Sequence, residues 1–191
     1  MSSHHIVREN QEPALLIDDL FLINEENLGQ LLEWSPTVII ENNTVDALDA
    51  RGYKFDIVFA QTNSDRIQEN VKIVPYSATN FLEASLSYLI EQHYQAVNIV
   101  TDQIELRRYE PYLDHINVVL FMHDMRYSFV SNGFTKWKPG GERIYIDAVD
   151  ADISAEGLKK IRSGIYETTK DGLFKLEFSK SNYILIGETI L

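Results

Sequence analysis

Gly52-Tyr53-Lys54-Phe55-Asp56-Ile57-Val58-Phe59 holds a change of period within eight residues. Its glycine can close a helix that Thr44 caps and that runs through Val45 and Leu48, because a C-terminal cap favours a residue free to take positive φ. Asp56 to Phe59 is then too short and too apolar for a surface helix, and it reads as a strand. The same kind of run recurs at Val38 to Ile40, Val71 to Val74, Val97 to Val100 and Ile116 to Phe121. Asn24 can cap a helix carrying Leu28, Leu31 and Leu32, and Asn80 another with Leu82, Leu86, Leu89 and Ile90 on one face. Strands alternating with helices predict βαβ units around a largely parallel sheet, with each strand buried on both faces.

After about His123 the rhythm changes. Tyr127, Phe129 and Phe134 flank a Ser131-Asn132-Gly133 turn, and Pro139-Gly140-Gly141 is a second loop ahead of Arg143 to Val149. Leu173, Lys175 and Glu177 alternate with Phe174, Leu176 and Phe178, and a turn at Lys180 to Asn182 leads into Tyr183 to Ile190. Ala155 to Ile161 is read as one or two helical turns. The expected organisation is an α/β domain over 1–123 and a small antiparallel β-sandwich over 124–191. A β module of about 65 residues rarely carries a large core alone, so docking on the first domain or on a second subunit is expected.

The 191 residues carry 29 acidic and 17 basic side chains, a formal charge of −12. With 45% hydrophobic and 24% charged residues the composition is that of a globular chain with a real core. An acidic chain with no cluster of four or more basic residues lacks what nucleic-acid binding draws on, so no such partner is expected. The absence of cysteine excludes disulfides, thiolate catalysis and zinc-thiolate sites. The apolar piece Ala14 to Ile23 is cut by Asp18 and Asp19, no stretch reaches the roughly 18 apolar residues of a membrane span, and the cytoplasm is the default location.

No Walker loop, G-x-G-x-x-G, G-x-S-x-G or H-E-x-x-H occurs. His4-His5 offers a metal pair only if two adjacent, diverging side chains converge. Asp114-His115 and His123-Asp124 put an imidazole beside a carboxylate, an arrangement open to acid–base work and also to plain strand-end capping. Asp147, Asp150 and Asp152 form an acidic group at a strand exit, either a hard-cation site or a solvated turn. Trp34 and Trp137 can be stacking platforms or side chains packed on the core.

Taken in order, Trp34 to Ile40, Gly52 to Ser64, Pro75 to Leu89, Ala96 to Val100, Phe134 to Gly141 and Gly157-Leu158 fall where thiamine pyrophosphokinases carry their motifs, and the chain resembles that family over nearly its whole length. The frame Gly52 to Phe59 is similar to the family's glycine, two residues, proline, aspartate and apolar strand, and the tail looks like the family's thiamine-binding module, ending in a β-hairpin. The resemblance implies an α/β catalytic domain joined to a β-sandwich, a homodimer, and transfer of pyrophosphate from Mg-ATP to thiamine.

The chain departs from that pattern where the chemistry needs charge. Where the family carries an aspartate and two glycines, it has Glu41-Asn42-Asn43; where the family carries two aspartates in the next motif, it has Gln61 and Asn63, followed by Ser64. A later aspartate pair appears as Ser77 and Asn80 around Thr79, and Arg107 and Arg108 fall near a further aspartate position. On the thiamine side, Lys160 stands in place of an aromatic, and Tyr166 falls near a Ser-Asn pair. Amide oxygens coordinate Mg²⁺ without a full charge, and a lysine repels a cationic thiazolium. Three outcomes are open. The first is a catalytically impaired homodimeric scaffold with a residual small-molecule pocket at Glu41, Gln61, Asn63 and Asn80, and with neither metal nor cofactor. The second is a working transferase that holds Mg²⁺ and ATP through Glu41, Asp65 and a further carboxylate. The third is a non-catalytic nucleotide or thiamine sensor.

Overall fold

The computed structural model describes residues 12–61, 70–77, 80–148 and 152–190. They form two compact units, one drawn from residues 12–102 and 112–123, the other from 103–111 and 124–190.

The first unit is a six-stranded parallel sheet with helices between its strands. Its elements are β1 (Ala14–Ile17), α1 (Glu25–Leu32), β2 (Val38–Glu41), α2 (Val45–Asp49), β3 (Ile57–Ala60), β4 (Lys72–Pro75), α3 (Phe81–Glu91), β5 (Ala96–Val100) and β6 (Asn117–Met122), with short 3₁₀ turns at Leu20–Leu22 and Asn42–Thr44. The strand order is β6-β5-β1-β2-β3-β4, and every neighbouring pair is parallel. All six carboxyl ends therefore open on one edge. Asn24 and Asn80 cap α1 and α3 as the sequence predicts, accepting from the amides of Asn27 at 2.7 Å and Leu82 at 2.9 Å. Gly52 closes the α2 segment at φ +71°, with its own amide on the Asp49 carbonyl and the Tyr53 amide on that of Leu48. Asp56 pins the start of β3: its carboxylate accepts from the Val38 amide at 2.8 Å and its carbonyl from that of Lys72 at 2.8 Å.

Three readings are corrected here. The central strand is β1, read in the sequence only as an interrupted apolar piece; all four of its residues are buried between β5 and β2. β4 is not buried on both faces. It ends the strand order, Ile73 is 41% exposed, and Lys72 reaches out to the Tyr88 hydroxyl at 2.8 Å. Thr44 makes no side-chain cap to α2, because Asn42–Thr44 already turn as a 3₁₀ helix and the Thr44 hydroxyl donates to Asn43 Oδ1 instead.

The second unit holds α4 (Leu106–Tyr109), β7 (Met125–Ser131), β8 (Phe134–Lys138), β9 (Arg143–Asp147), β10 (Asp152–Glu156), β11 (Leu158–Arg162), β12 (Ile165–Thr168), β13 (Gly172–Ser179) and β14 (Tyr183–Thr189). Its strands pair antiparallel in the orders β11-β12-β9-β14-β7 and β10-β13-β8. Val130, Ile144, Ile146, Ile184 and Ile186 of the first set pack against Phe174, Leu176 and Phe178 of the second, a sandwich core built from the predicted alternation in β13. Towards one end of this interior the buried Glu188 is held by Lys136 and, at 3.3 Å, by Lys138.

Ala155 to Ile161 is not helical. β10 and β11 are strands separated by Gly157 at φ +77°, and a Cβ there would meet the Leu173 carbonyl oxygen at 3.0 Å. The hairpin that the resemblance implies for the tail does not form. β7 pairs with β14 and β8 with β13, so the Asn132-Gly133 turn carries the chain from one sheet to the other, with Asn132 Oδ1 accepting from the Phe178 amide at 2.8 Å. The turn at Lys180 to Asn182 likewise joins different sheets, and the tail ends as an inner strand between β9 and β7. Alternation marks a strand but does not name its partner. Trp34 and Trp137 are not packed on a core; they are 71% and 58% exposed. His4, His5, Asn63, Ser64, Asp65, Thr79 and Asp150 lie outside the described residues.

Candidate functional site

In a parallel α/β sheet ligands gather beyond the carboxyl ends of the strands, where the strand order reverses. Here it reverses at β1: β2, β3 and β4 run to one side, β5 and β6 to the other. Asp18 and Asp19 follow β1, Thr101 and Asp102 follow β5, Glu41 ends β2, Gln61 follows β3, and Tyr76 and Ser77 follow β4.

Two clusters form on that edge. In the first, the half-buried Asp18 accepts from the fully buried Thr101 hydroxyl at 2.7 Å, while both Asp18 and Asp19 place their amides on the Val100 carbonyl. Burial pushes the Asp18 carboxyl above its ordinary range; the Thr101 bond opposes this, and the charges of Asp102, Glu41 and Asp19 add to it. Asp19 spends its side chain on the Phe21 amide at 2.9 Å.

In the second, Glu41 accepts from the Tyr76 hydroxyl through Oε1 and from the Asn43 amide at 2.8 Å through Oε2. Burial raises the Tyr76 pKa, the bond to Glu41 raises it further, and a hydrogen bond with Gln61 lowers it. The structure thus brings together Glu41, Asn43 and Gln61 of the sequence-predicted residues. Asn42 is exposed in the 3₁₀ turn, Ser77 is exposed, and the Asn80 side-chain oxygen is committed to α3. Arg107 and Arg108 lie on α4, and Lys160 and Tyr166 form a cross-strand pair of β11 and β12, all four in the second unit. Lys160 and Tyr166 line a cavity of about 430 Å³ with Asp147, Asp152 and Ser163.

Sequence reasoning passed over Asp18, Thr101, Asp102 and Tyr76. The signal was present in each case: an apolar strand run that stops at a polar residue marks a carboxyl end. Asp18 and Asp19 instead served only to break a membrane span.

As a donor set for Mg²⁺ polyphosphate these residues do not fit. The ion takes carboxylate oxygens in near-octahedral geometry. In the Glu41 cluster the described residues supply one charge, since Glu41 has both oxygens hydrogen-bonded and Gln61 and Ser77 carry none. Among the described residues no three of His, Asp and Glu converge closely enough to hold a metal ion.

The architecture defines a class: a parallel α/β unit with an antiparallel β-sandwich. Its fold is that of the thiamine pyrophosphokinases. The chain superposes on the Bacillus subtilis thiamine pyrophosphokinase with a TM-score of 0.65 at 10% identity, covering 94% of this chain and 100% of that one. It matches a probable thiamine pyrophosphokinase of Staphylococcus saprophyticus at 0.65 and 13%, over 94% and 100% of the two chains. The yeast thiamin pyrophosphokinase matches at 0.68 and 8%, over 98% and 88%. No protein-family model and no curated protein matches the chain. Among the described residues no helix is long and apolar enough to cross a membrane.

Proposed function

We propose that this is a non-catalytic protein on the thiamine pyrophosphokinase fold, a cytoplasmic homodimer that serves as a scaffold or residual small-molecule binder and moves no pyrophosphoryl group. The observation that carries the reading is the state of Glu41. It is the charged residue kept among the positions where the resemblance expects aspartates, and its two oxygens are engaged by Tyr76 and Asn43. Two donors fix this carboxylate in place, and the one charge it carries stands alone in its cluster among the described residues, because the Gln61 amide beside it brings none.

The test is direct. Purified protein is incubated with thiamine and Mg-ATP, and thiamine diphosphate and AMP are separated and counted. The reading expects neither above a protein-free blank. Sustained formation of both products at an enzyme-like turnover of about 1 s⁻¹ or more ends it. Light scattering tests the dimer separately.

A working transferase is the second reading, favoured by one observation: the charges of Asp102 and Glu41 both act on Asp18, so carboxylates do collect along the carboxyl edge. It requires Mg²⁺-dependent ATP binding, which calorimetry with and without the metal measures. A sensor that binds without turnover is separated from a scaffold by thermal shift, since a ligand at a hundred times its Kd stabilises by about 2.7 kcal/mol.

A further inference from the structure

Among the asparagines of the chain, Asn132 alone is followed by glycine. An asparagine before glycine is the one most open to attack by its own backbone, because glycine carries no side chain to shield its amide nitrogen and lets the chain turn freely. Asn132 and Gly133 are both exposed, and Gly133 sits at φ +82° with open space where a Cβ would stand. A nucleophile and its target carbon therefore lie one bond apart in sequence on a solvent-facing corner.

In the closed fold both groups are committed to β13. The Gly133 amide donates to the Leu176 carbonyl at 3.0 Å, and Asn132 Oδ1 accepts from the Phe178 amide at 2.8 Å. Ring closure needs the Gly133 nitrogen to give up its proton and to swing onto Asn132 Cγ, so neither bond survives it. The next residue, Phe134, lies opposite Leu176 in register, and its ring packs on Phe174 with centroids 6.0 Å apart. The corner is thus free only while this end of the β8–β13 pairing is open.

We infer that Asn132 is a covalent modification site gated by β13. In the open state the Gly133 nitrogen bonds to Asn132 Cγ, the carboxamide C–N bond breaks, and the amide nitrogen leaves as ammonia with the proton that Gly133 lost. The cyclic imide then takes up one water at either carbonyl carbon, giving aspartate or isoaspartate at position 132, and no oxidant or reductant is involved. Aspartate keeps an acceptor for the Phe178 amide. Isoaspartate routes the main chain through the former side-chain methylene, which lengthens the backbone by one carbon and moves Phe134 out of register with Leu176. All these residues belong to the second unit, so the site stands with or without pyrophosphoryl transfer.

The full-length protein and the synthetic peptide Tyr127–Lys136, which trypsin also releases from the protein, are aged side by side in mildly alkaline buffer made with heavy-oxygen water, then analysed by peptide mass spectrometry and ammonia assay. Asp171-Gly172 can rearrange without a change of mass, so it does not enter the count. The expected result is exchange of the Asn132 amide for one labelled oxygen, with one ammonia released per converted chain. Conversion should be at least about tenfold slower in the folded protein than in the peptide, because two hydrogen bonds must open first. Urea below the unfolding transition should speed the folded protein and leave the peptide unchanged. Equal rates in protein and peptide, a folded protein that stays unconverted as urea is raised, or a first mass gain at another asparagine overturns the inference.

Discussion

The Tyr76 hydroxyl, one residue past β4, donates to Oε1 of Glu41 at the end of β2, spanning the carboxyl end of β3 between them. A hydrogen bond to a carboxylate ranks among the stronger single bonds in a protein. In this place it holds two strand ends together and fixes the carboxylate on which the proposed function rests.

Tyr76→Phe removes that bond and should cost about 1 kcal/mol, at the low end for a bond to a charged group because the pair is partly exposed. The pH dependence has a definite sign. The Tyr76 pKa is raised in the folded state, so the stabilisation is complete below the ordinary tyrosine range and is lost as pH rises through the higher folded value. Chemical denaturation between neutral and strongly alkaline pH should show the wild type losing more stability than Tyr76→Phe. An equal loss would mean that Glu41 is not so engaged.

Asp18 behaves in the opposite sense from an ordinary paired carboxylate. Burial, opposed by the Thr101 bond, raises its pKa, so its ionised form works against folding at neutral pH. Asp18→Asn should therefore stabilise the protein at pH 7 by less than about 1 kcal/mol after solvent screening, and the gain should vanish below the ordinary aspartate range. A loss of stability at pH 7 would point to a favourable partner for the charge.

Glu188 is buried, and the bond and charge of Lys136, with Lys138, outweigh the burial that would raise its pKa, leaving the pKa lowered. Its contribution is present above the ordinary carboxylate range and is lost as pH falls through the lowered folded value. Glu188→Ala leaves two lysines facing each other in the sandwich and should cost about 2 kcal/mol, less than a fully buried pair because Lys136 is partly exposed. Glu188→Gln should cost less. Thermal melts from neutral to acid pH check both.

Gly157→Ala tests the corrected reading of 155–161. At φ +77°, with the Leu173 carbonyl 3.0 Å from the added Cβ, alanine should destabilise by about 2 kcal/mol, whereas in a helix it would help by up to about 1 kcal/mol.

Much of the first unit was legible because its signals are local. Asn24 and Asn80 announce helix starts, Gly52 an end, and β-branched runs such as Val38 to Ile40 announce buried strands. β1 was missed because four apolar residues followed by Asp18-Asp19 look like an interruption when the strand beside them is unknown. The pairings of β7 with β14 and of β8 with β13 were illegible for a related reason: a turn such as Ser131-Asn132-Gly133 suits a hairpin and a corner between sheets alike, and long-range pairing decides which forms. In the site, the polar character of Glu41, Asn43 and Gln61 could be read from the sequence, but Tyr76, 35 residues from Glu41 and bonded to Glu41 and Gln61, could not.

The central claim is that the carboxyl edge of this parallel sheet does not support pyrophosphoryl transfer. Product analysis after prolonged incubation of the intact protein with thiamine, ATP and Mg²⁺ tests it most directly. The account predicts thiamine diphosphate and AMP no higher than in a protein-free control; steady, protein-dependent and stoichiometric appearance of the two would contradict it.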